Sequence, residues 1–271
     1  MKKPDIDELK EQAKQLRRDI LTMLSEAGSG HTGSSLSCVE LILSLYSNKL
    51  RYNAKDPHWE GRDRFILSKG HGCPALYAVL AHFGFFPKDK LKTLRQVGTL
   101  LQGHPQLGLA GLEASTGSLG QGLSIANGMA LSARLDKKDT RVYCILGDGE
   151  TNEGQVWEAA MTAAHYGLDN LCAMIDYNKL QIDGFLCDVK DMLELAKKWE
   201  AFGWNVMEID GHDFTQIINS LDKAETLKKK PTMIIAHTVK GKGISFIENK
   251  AGWHGIAPKH DELECALREL D

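Results

Sequence analysis

Two apolar runs separated by helix-forming residues most constrain how this chain of 271 residues can fold. Residues 141–146 and 171–175 are rich in β-branched, aromatic and aliphatic side chains, which predicts two buried strands. Between them, residues 155–165 are rich in alanine and other good helix formers, and Gly167 is a suitable cap for that helix. A strand, a helix and a strand in this order form a right-handed crossover between parallel strands. The pattern therefore predicts an α/β fold with a parallel sheet.

Side chains that carry oxygen follow both of these strands. The turn Gly147-Asp148-Gly149 comes directly after the first strand, and Asn178 follows the second. Because the carboxyl ends of parallel strands share one edge of a sheet, Asp148 and Asn178 are expected to meet where such sheets bind ligands. Their oxygens suit Mg²⁺ or Ca²⁺, and Gly149 lets the main chain approach a diphosphate. The sequence indicates a metal-bridged diphosphate site; the alternative is an ordinary turn Asp and turn Asn.

The Asp148-Gly149 turn followed by Asn178 resembles the thiamin diphosphate signature, and residues 10–265 look like the amino-terminal half of a transketolase. The resemblance implies a thiamin diphosphate-binding fold, with a mostly parallel sheet and helices on both faces. It implies a divalent ion held by Asp148, Asn178 and the backbone carbonyl of Leu180. It also implies that Gly149 and Asn178 contact the cofactor.

The start of the chain predicts an amphipathic helix and a glycine-rich turn. Apolar residues at positions 6, 9, 13, 16, 20 and 24 recur at helical spacing. In the turn at 28–34, glycines on both sides of His31 let its imidazole project into a cleft, although an ordinary turn residue explains it equally well. In transketolases the histidine of this Gly-Ser-Gly-His motif faces the substrate, and the nearby serine touches the thiamin. By resemblance these roles fall to His31 and Ser34.

Two further histidines stand in turns beside predicted core elements. His71 follows a short apolar strand at 64–68 and precedes an apolar helix at 75–80, which is a suitable place to meet an anion. By resemblance it contacts the cofactor diphosphate. His104 lies in a rigid Gly-His-Pro turn, and by resemblance it reaches toward the donor sugar. Four cations between these histidines are expected on a solvated helix face: Lys88, Lys90, Lys92 and Arg95.

A glycine-rich segment at 116–122 opens the next predicted helix. Such a helix start either binds an anion or packs closely on the sheet, and the sequence alone leaves both alternatives open. By resemblance, Gly117, Ser118 and Leu119 line the thiamin pocket. Glu153 lies at the expected start of the helix after the first apolar run, where the helix dipole alone can explain a carboxylate. In transketolases the equivalent glutamate lies at the dimer interface near the cofactor.

The last third of the chain contains one more polar turn and one more strand. Residues 210–213 suggest a metal or acid–base cluster or, more simply, an Asp-Gly turn in which Asp213 caps the next helix. Residues 231–237 form the last predicted strand, and the loop after it contains Lys240, which is suited to a phosphate. By resemblance Lys240 contacts the cofactor, and His254 lies near both the diphosphate and the substrate.

Composition excludes several classes of function. A formal net charge of −3 gives no electrostatic footprint for nucleic acid or for an anionic membrane. The six cysteines are scattered without a C-x-x-C pair, which is typical of reduced thiols in a cytoplasmic protein. The first residues are too charged for a signal peptide, and no apolar run is long enough to span a membrane. We expect one diphosphate-binding domain over residues 1–271.

The resemblance implies a transferase of carbohydrate metabolism that works in the pentose phosphate pathway. With thiamin diphosphate and Mg²⁺ or Ca²⁺, it would move a two-carbon ketol unit from a ketose phosphate to an aldose phosphate. The candidate catalytic residues are His31, His104 and His254, because neutral imidazoles can orient sugar hydroxyls and move protons.

The chain ends at Asp271, before the pyrimidine-binding and C-terminal domains that follow in a transketolase. We therefore expect the N-terminal subunit of a split transketolase, paired with a C-terminal subunit in an α2β2 heterotetramer, although a shortened longer protein would look the same. Alternatives are a subunit similar to deoxyxylulose-phosphate synthase or to the α chain of a 2-oxo acid dehydrogenase. A non-catalytic protein that binds thiamin diphosphate is a further alternative.

Overall fold

The computed structural model describes residues 4–271. The charged N-terminal segment is the argument against a signal peptide, and its first three residues lie outside the described residues. Five strands form one sheet: β1 (Arg64–Leu67), β2 (Val142–Gly147), β3 (Leu171–Tyr177), β4 (Asn205–Asp210) and β5 (Thr232–His237). They lie in the order β1-β2-β3-β5-β4, and every neighbouring pair is parallel. The predicted parallel α/β fold is confirmed.

Ten α-helices lie within the described residues. They are α1 (Ile6–Ala27), α2 (Thr32–Ser37), α3 (Val39–Ser44), α4 (Cys73–His82), α5 (Gln121–Leu135), α6 (Gly154–His165), α7 (Leu186–Lys190), α8 (Leu195–Ala201), α9 (Phe214–Thr226) and α10 (His260–Glu269). Between residues 4 and 271, none of the helices combines the length and apolar composition that a membrane crossing requires.

The sheet is covered by a hydrophobic core on each face, because successive side chains of a strand point to opposite sides. On β2, Tyr143 and Ile145 join the core formed with α1, α3, α4 and α9. Cys144 and Leu146 join the core formed with α5, α6 and α8. All four side chains are fully buried. This explains why the predicted strands are nearly continuous apolar runs rather than alternating ones.

The helix α1 is the amphipathic helix that the sequence predicts, with Leu9 and Leu16 buried in the core. It ends where Gly28 adopts the left-handed conformation, with φ 62°. The predicted turn after it is too long, because it extends to Ser34 whereas α2 already begins at Thr32. All six residues of α2 are buried, so their main-chain groups need partners within the protein, and a helix supplies them.

Three of the four cations expected on a solvated helix face are exposed, and the fourth is not. Lys88–Thr93 forms a short 3₁₀ helix, and its three lysines are exposed. The expectation is wrong for Arg95, which is half-buried with φ 60°. The chain turns back there, because the Arg95 N–H bonds to the carbonyl of Leu101 at 2.7 Å. The guanidinium lies so close to Gly103 that an added Cβ would be 2.6 Å from Nη2.

The structure decides between the two interpretations of residues 210–213. The side chain of Asp213 accepts hydrogen bonds from the N–H groups of Thr215 at 2.8 Å and Gln216 at 3.2 Å, at the start of α9. Within the described part of the chain, no group of three or more His, Cys, Asp and Glu side chains could hold a metal ion. Asp213 is therefore a helix cap, as the simpler interpretation predicts.

Replacing the cap should destabilise the fold without affecting ligand binding. Asp213→Ala is expected to lower the free energy of unfolding by about 1 kcal/mol, because two N–H groups at the start of α9 lose their partner. Asp213→Asn, which can still cap, is the control and should stay close to the original protein. Urea unfolding measures both, and equal losses in the two variants would contradict the capping role.

Candidate functional site

The parallel pairing of β2 with β3 brings two predicted site residues together. The strands stay in register to their carboxyl ends, so Asp148 and Asn178 leave the sheet side by side. The Asp148 carboxylate accepts a hydrogen bond from the Gly149 N–H at 2.7 Å and another from the Lys179 N–H. Because Lys179 directly follows Asn178, this one carboxylate fixes both strand ends.

A cavity of about 480 Å³ opens at this edge of the sheet. Its wall is built by the loops after β1, β2, β3 and β5, by the start of α2, by the segment before α5 and by α7. It thus brings together residues that lie far apart in the sequence. The predicted site residues in the wall are His31, Ser34, His71, His104, Gly117, Leu119, Asp148, Gly149, Glu153, Asn178, Leu180 and His254.

Two predicted site residues, Ser118 and Lys240, are not in this wall. Ser118 is exposed to solvent, between two neighbours that face the cavity. Lys240 is only 1% exposed and lies behind the wall, where its Nζ is 2.8 Å from Nδ1 of His254. Its side chain passes over Gly33, at which an added Cβ would be 2.9 Å from the Lys240 Cγ. Lys240 therefore reaches the cavity through His254.

The four predicted histidines form a cluster with His31 at its centre. The ring centroid of His31 lies 5.2 Å from that of His71 and 5.5 Å from that of His254. The ring of His104 lies 6.0 Å away from His31. His71 and His254 are 5.3 Å apart. Four turns that are separate in the sequence therefore present one continuous imidazole surface.

All four imidazoles are neutral at pH 7. Burial, followed by the charges of nearby cations, lowers the pKa of His31 to about 4. Burial and then the charge of Lys240 lower the pKa of His254 to about 3. Burial is also the main reason that the pKa values of His71 and His104 lie below the ordinary value. A neutral imidazole has one donor and one acceptor nitrogen, so the cluster can bind hydroxyl groups in either sense.

A buried ion pair that the sequence does not single out lies at the cavity, with Lys69 in the wall and Asp176 behind it. The Lys69 ammonium contacts the Asp176 carboxylate and donates to the carbonyl of Ser34 at 2.8 Å. Asp176 also accepts from the hydroxyls of Ser37, at 2.5 Å, and Thr238. The side chains of the pair are 1% and 0% exposed. The available signal was a charged residue inside the apolar strand β3, since a buried carboxylate requires a partner.

The pKa values of two neighbouring carboxylates at the ion pair are shifted in opposite directions. Burial opposes ionisation of Asp176, but the charge of Lys69 and its hydrogen bonds hold the pKa of Asp176 below its usual value. Burial and then the charge of Asp176 raise the pKa of Asp148 to about 7. Among residues 4–271, Asp148 forms no ion pair. Asp148 is thus the carboxylate for which a divalent cation would supply the missing positive charge.

A further buried carboxylate, Glu150, holds the turn after β2 in shape. It accepts hydrogen bonds from the N–H groups of Gly120 at 2.9 Å and Gly147 at 3.0 Å, and from the Ser68 hydroxyl. Burial raises its pKa. Because these partners occupy both of its oxygens, Glu150 shapes the cavity wall and offers no free carboxylate to a ligand.

The wall fits a diphosphate and a hard divalent ion. At Gly117, with φ 152°, an added Cβ would be 3.0 Å from the His104 ring, and at Gly149 one would be 3.1 Å from Gln181. Bare backbone is therefore exposed to the cavity at two positions where a Cβ would be crowded by its neighbours. Nδ1 of His31 is buried without a hydrogen-bond partner in the described chain, which is unfavourable unless a ligand binds there. The neighbouring carboxylate and amide oxygens are ligands that Mg²⁺ and Ca²⁺ prefer.

Cavity size alone does not locate this site. A larger cavity of about 670 Å³ lies between the start of α1 and the segment before β1, lined by aromatic residues that include Tyr46, Tyr52 and Trp59. None of the predicted site residues is in its wall. The smaller cavity is the candidate functional site because of its chemistry.

Comparison with known proteins identifies the family. The family model described as transketolase, thiamine diphosphate binding domain, matches residues 9–270. A 6-deoxy-6-sulfo-D-fructose transketolase subunit of Clostridium sp. (strain MSTE9) is 44% identical over 272 residues, covering 100% of this chain and 98% of the relative. A subunit of the apulose-4-phosphate transketolase of Phocaeicola vulgatus is 40% identical, covering 98% of this chain and 94% of the relative.

A solved structure gives the same result. The transketolase of Campylobacter jejuni superposes with a TM-score of 0.91 at 33% identity. The match covers 98% of this chain and 43% of that longer chain. This chain therefore spans less than half of the solved transketolase, but nearly all of the two relatives named as subunits. It belongs to the transketolase family, in the part that forms the thiamine diphosphate binding domain.

Proposed function

We propose that this chain binds thiamin diphosphate through a divalent ion and, with a companion chain, transfers a two-carbon ketol unit from a ketose to an aldose. The observation that carries the proposal is the sharing of one cavity by Asp148, Asn178 and the four neutral histidines. Membership of the transketolase family supports it.

The proposed ion is Mg²⁺, with Ca²⁺ as the other hard cation that these ligands suit. The side chains of Asp148 and Asn178 and the backbone carbonyl of Leu180 would hold it, with diphosphate oxygens and water completing the shell. These three residues are 2%, 6% and 3% exposed. The ion would therefore be shielded from bulk solvent on the protein side, which strengthens its attraction to the diphosphate.

The cofactor would lie along the glycines and small side chains of the wall. His71 and Gly149 would face the diphosphate, where an imidazole N–H and a bare backbone can approach anionic oxygens. Ser34, Gly117 and Leu119 would contact the thiamin. All five residues line the same cavity, which supports their assignment to one cofactor.

Three assigned residues would contribute from the margin of the site. Lys240 would act on the diphosphate through His254, which it contacts at 2.8 Å. Ser118 would contribute its main chain, because its side chain is exposed. Glu153 is exposed at the start of α6 and would face the companion chain near the cofactor.

Bound thiamin diphosphate supplies a carbon nucleophile and an electron sink. The residues of this chain would bind and orient the sugars and move their protons. His31, His104 and His254 are the proposed catalytic residues. The neutral rings of His31 and His104 can donate to one sugar oxygen and accept from another, whereas His254, whose Nδ1 accepts from Lys240, offers its Nε2 N–H as a donor. The names of the two relatives that are subunits contain a sulfo and a phosphate group, so we propose a sugar with an anionic end, as in the pentose phosphate pathway.

We propose that a separate polypeptide carries the pyrimidine-binding domain. This chain matches 43% of the solved transketolase but 98% and 94% of the two relatives named as subunits. That contrast supports an N-terminal subunit that pairs with a C-terminal subunit. We propose that the two chains assemble as a cytoplasmic α2β2 heterotetramer. The single sheet with a core on each face supports treating the chain as one domain.

The activity is tested by a ketol-transfer assay with xylulose 5-phosphate and ribose 5-phosphate, in the presence of thiamin diphosphate and Mg²⁺. We expect no turnover with this chain alone and turnover after addition of the product of the neighbouring reading frame. Each chain alone and the mixture without cofactor are the controls. Full activity of the isolated chain would contradict the need for a companion, and an inactive mixture that binds the cofactor would contradict the proposed reaction.

Removing the carboxylate ligand should abolish metal-dependent cofactor binding. Loss of a residue that hydrogen-bonds to a metal ligand commonly lowers metal affinity about 10–100-fold. Asp148→Ala loses the ligand itself, so we expect it to weaken cofactor binding by more than about 100-fold. Calorimetric titration of the two-chain protein with thiamin diphosphate and Mg²⁺ measures the effect. The control is Asp89→Ala, an exposed aspartate on the 3₁₀ helix. Unchanged binding by Asp148→Ala would reject the metal site.

Cofactor affinity should fall as the pH rises above 8. Burial and the charge of Lys69 lower the pKa of Lys240 to about 8, so Lys240 loses its positive charge in this range. A diphosphate prefers the charged form, and we expect affinity to be about tenfold weaker at pH 9 than at pH 7. Lys240→Met should bind more weakly at pH 7 and lose this pH dependence. A flat profile for the unmodified protein would contradict the role of Lys240.

A further inference from the structure

A buried network of three side chains leads from α1 to the loop that carries Lys240. Nη2 of Arg17 lies 2.6 Å from one carboxylate oxygen of Glu40, and the other oxygen lies 3.0 Å from Nδ1 of His212. Nε2 of His212 accepts a hydrogen bond from the Val239 N–H at 2.8 Å. The side chains of Arg17, Glu40 and His212 are 6%, 7% and 12% exposed. None of the three lines the candidate site.

The hydrogen bonds fix the tautomer of His212. A backbone N–H can only donate, so Nε2 of His212 must be unprotonated and its proton must be on Nδ1. Nδ1 then donates to Glu40. Burial opposes ionisation of Glu40, but the charge of Arg17 and the bond from His212 hold the pKa of Glu40 below its usual value. The ionised carboxylate orients the imidazole, as carboxylates behind metal-bound histidines do.

Both flanks of Lys240 are attached to this network. Val239, directly before it, bonds to His212. The carbonyl of Lys242, two residues after it, accepts a hydrogen bond from Nε of Arg17 at 2.9 Å. The network therefore holds the backbone on both sides of Lys240, whose Nζ contacts His254 of the histidine cluster.

Lys240 itself has little freedom once this backbone is fixed. The N–H of Gly241 bonds to the carbonyl of Gly33 at 3.0 Å, and the Lys240 side chain crosses that same glycine. Its Nζ then meets Nδ1 of His254 at 2.8 Å. A small shift of the loop would move the ammonium away from His254, because packed surroundings leave no alternative path for the side chain.

We infer that His212 is a positioning residue. Through its hydrogen bond with Val239 it holds Lys240 against His254. In that position the charge of Lys240 acts on the cofactor diphosphate through His254. This inference rests on the proposed function, because it assigns the loop to the cofactor site. It also gives a role to the histidine of residues 210–213, a segment whose other function is the cap supplied by Asp213.

One variant separates positioning from simple structural support. His212→Asn keeps an amide donor near the place of Nδ1 and can still satisfy Glu40, but it is too short to reach the Val239 N–H. If His212 merely partners the buried carboxylate, asparagine should rescue it fully. If His212 positions the loop, His212→Asn should fold normally but bind the cofactor more weakly than the original protein.

The test is a double-mutant cycle on the two-chain protein, with thiamin diphosphate affinity measured in the presence of Mg²⁺. We expect His212→Asn to weaken binding about tenfold, as for loss of one buried hydrogen bond. In the Lys240→Met background the same change should alter affinity by less than about twofold, because the two residues act as one unit. Unchanged affinity of His212→Asn, or independent losses that multiply, would overturn the inference.

Hydrogen exchange supplies a readout that needs no cofactor. In His212→Asn the amides of Gly241 and Lys242, neither of which bonds to His212, should exchange faster, while those of α9 stay unchanged. The matched control is His237→Asn, at a histidine bonded to Glu208 at 2.8 Å outside the network. If these amides exchange at unchanged rates in His212→Asn while the original protein binds the cofactor, the inference is wrong but the proposed function stands. Failure of the original protein to bind thiamin diphosphate would instead overturn the proposed function.

Discussion

The buried ion pair of Lys69 and Asp176 is the interaction on which the candidate site depends. Lys69 follows β1 and Asp176 lies near the end of β3, so the pair ties two strands together across the β2 strand that lies between them. Its hydrogen bonds reach the carbonyl of Ser34 in α2 and the hydroxyl of Thr238 after β5. A charged pair without access to water is stable only when these partners are all in place, so the ends of three strands and one helix must assemble together.

This arrangement sets the charge of the cavity. Because Lys69 is occupied by Asp176, the neighbouring Asp148 remains the carboxylate that lacks a cation. Burial keeps the histidines neutral, and Lys240 stands behind them. The cavity therefore combines the Asp148 carboxylate, which lacks a cation, with uncharged imidazoles in its wall and with Lys240 behind them. That combination suits a metal-bound diphosphate beside a polyhydroxylated substrate, and it explains why hydrogen bonding rather than bulk positive charge would select the ligand.

Much of this could be predicted from the sequence, because local periodicity determines the elements and parallel pairing determines what meets at their ends. The adjacency of Asp148 and Asn178 follows from the strand, helix and strand between them. What the sequence does not indicate depends on contacts between distant segments. Lys69 looks like an ordinary turn lysine until Asp176 is placed opposite it. Arg95 looks like part of a charged helix face because its spacing matches the lysines, and only the reversal of the chain there removes it from that face. The exposure of Ser118 and the burial of Lys240 depend equally on packing that no local pattern encodes.

We propose that a divalent ion held by Asp148, Asn178 and the carbonyl of Leu180 anchors thiamin diphosphate in this cavity. The most direct measurement is a crystal structure of the two-chain protein with thiamin diphosphate and Mn²⁺, which takes the same oxygen ligands and gives an anomalous signal. We expect one anomalous peak at bonding distance from those three groups and beside the bound diphosphate. A bound cofactor with the peak elsewhere, or with no peak at these residues, would contradict the claim.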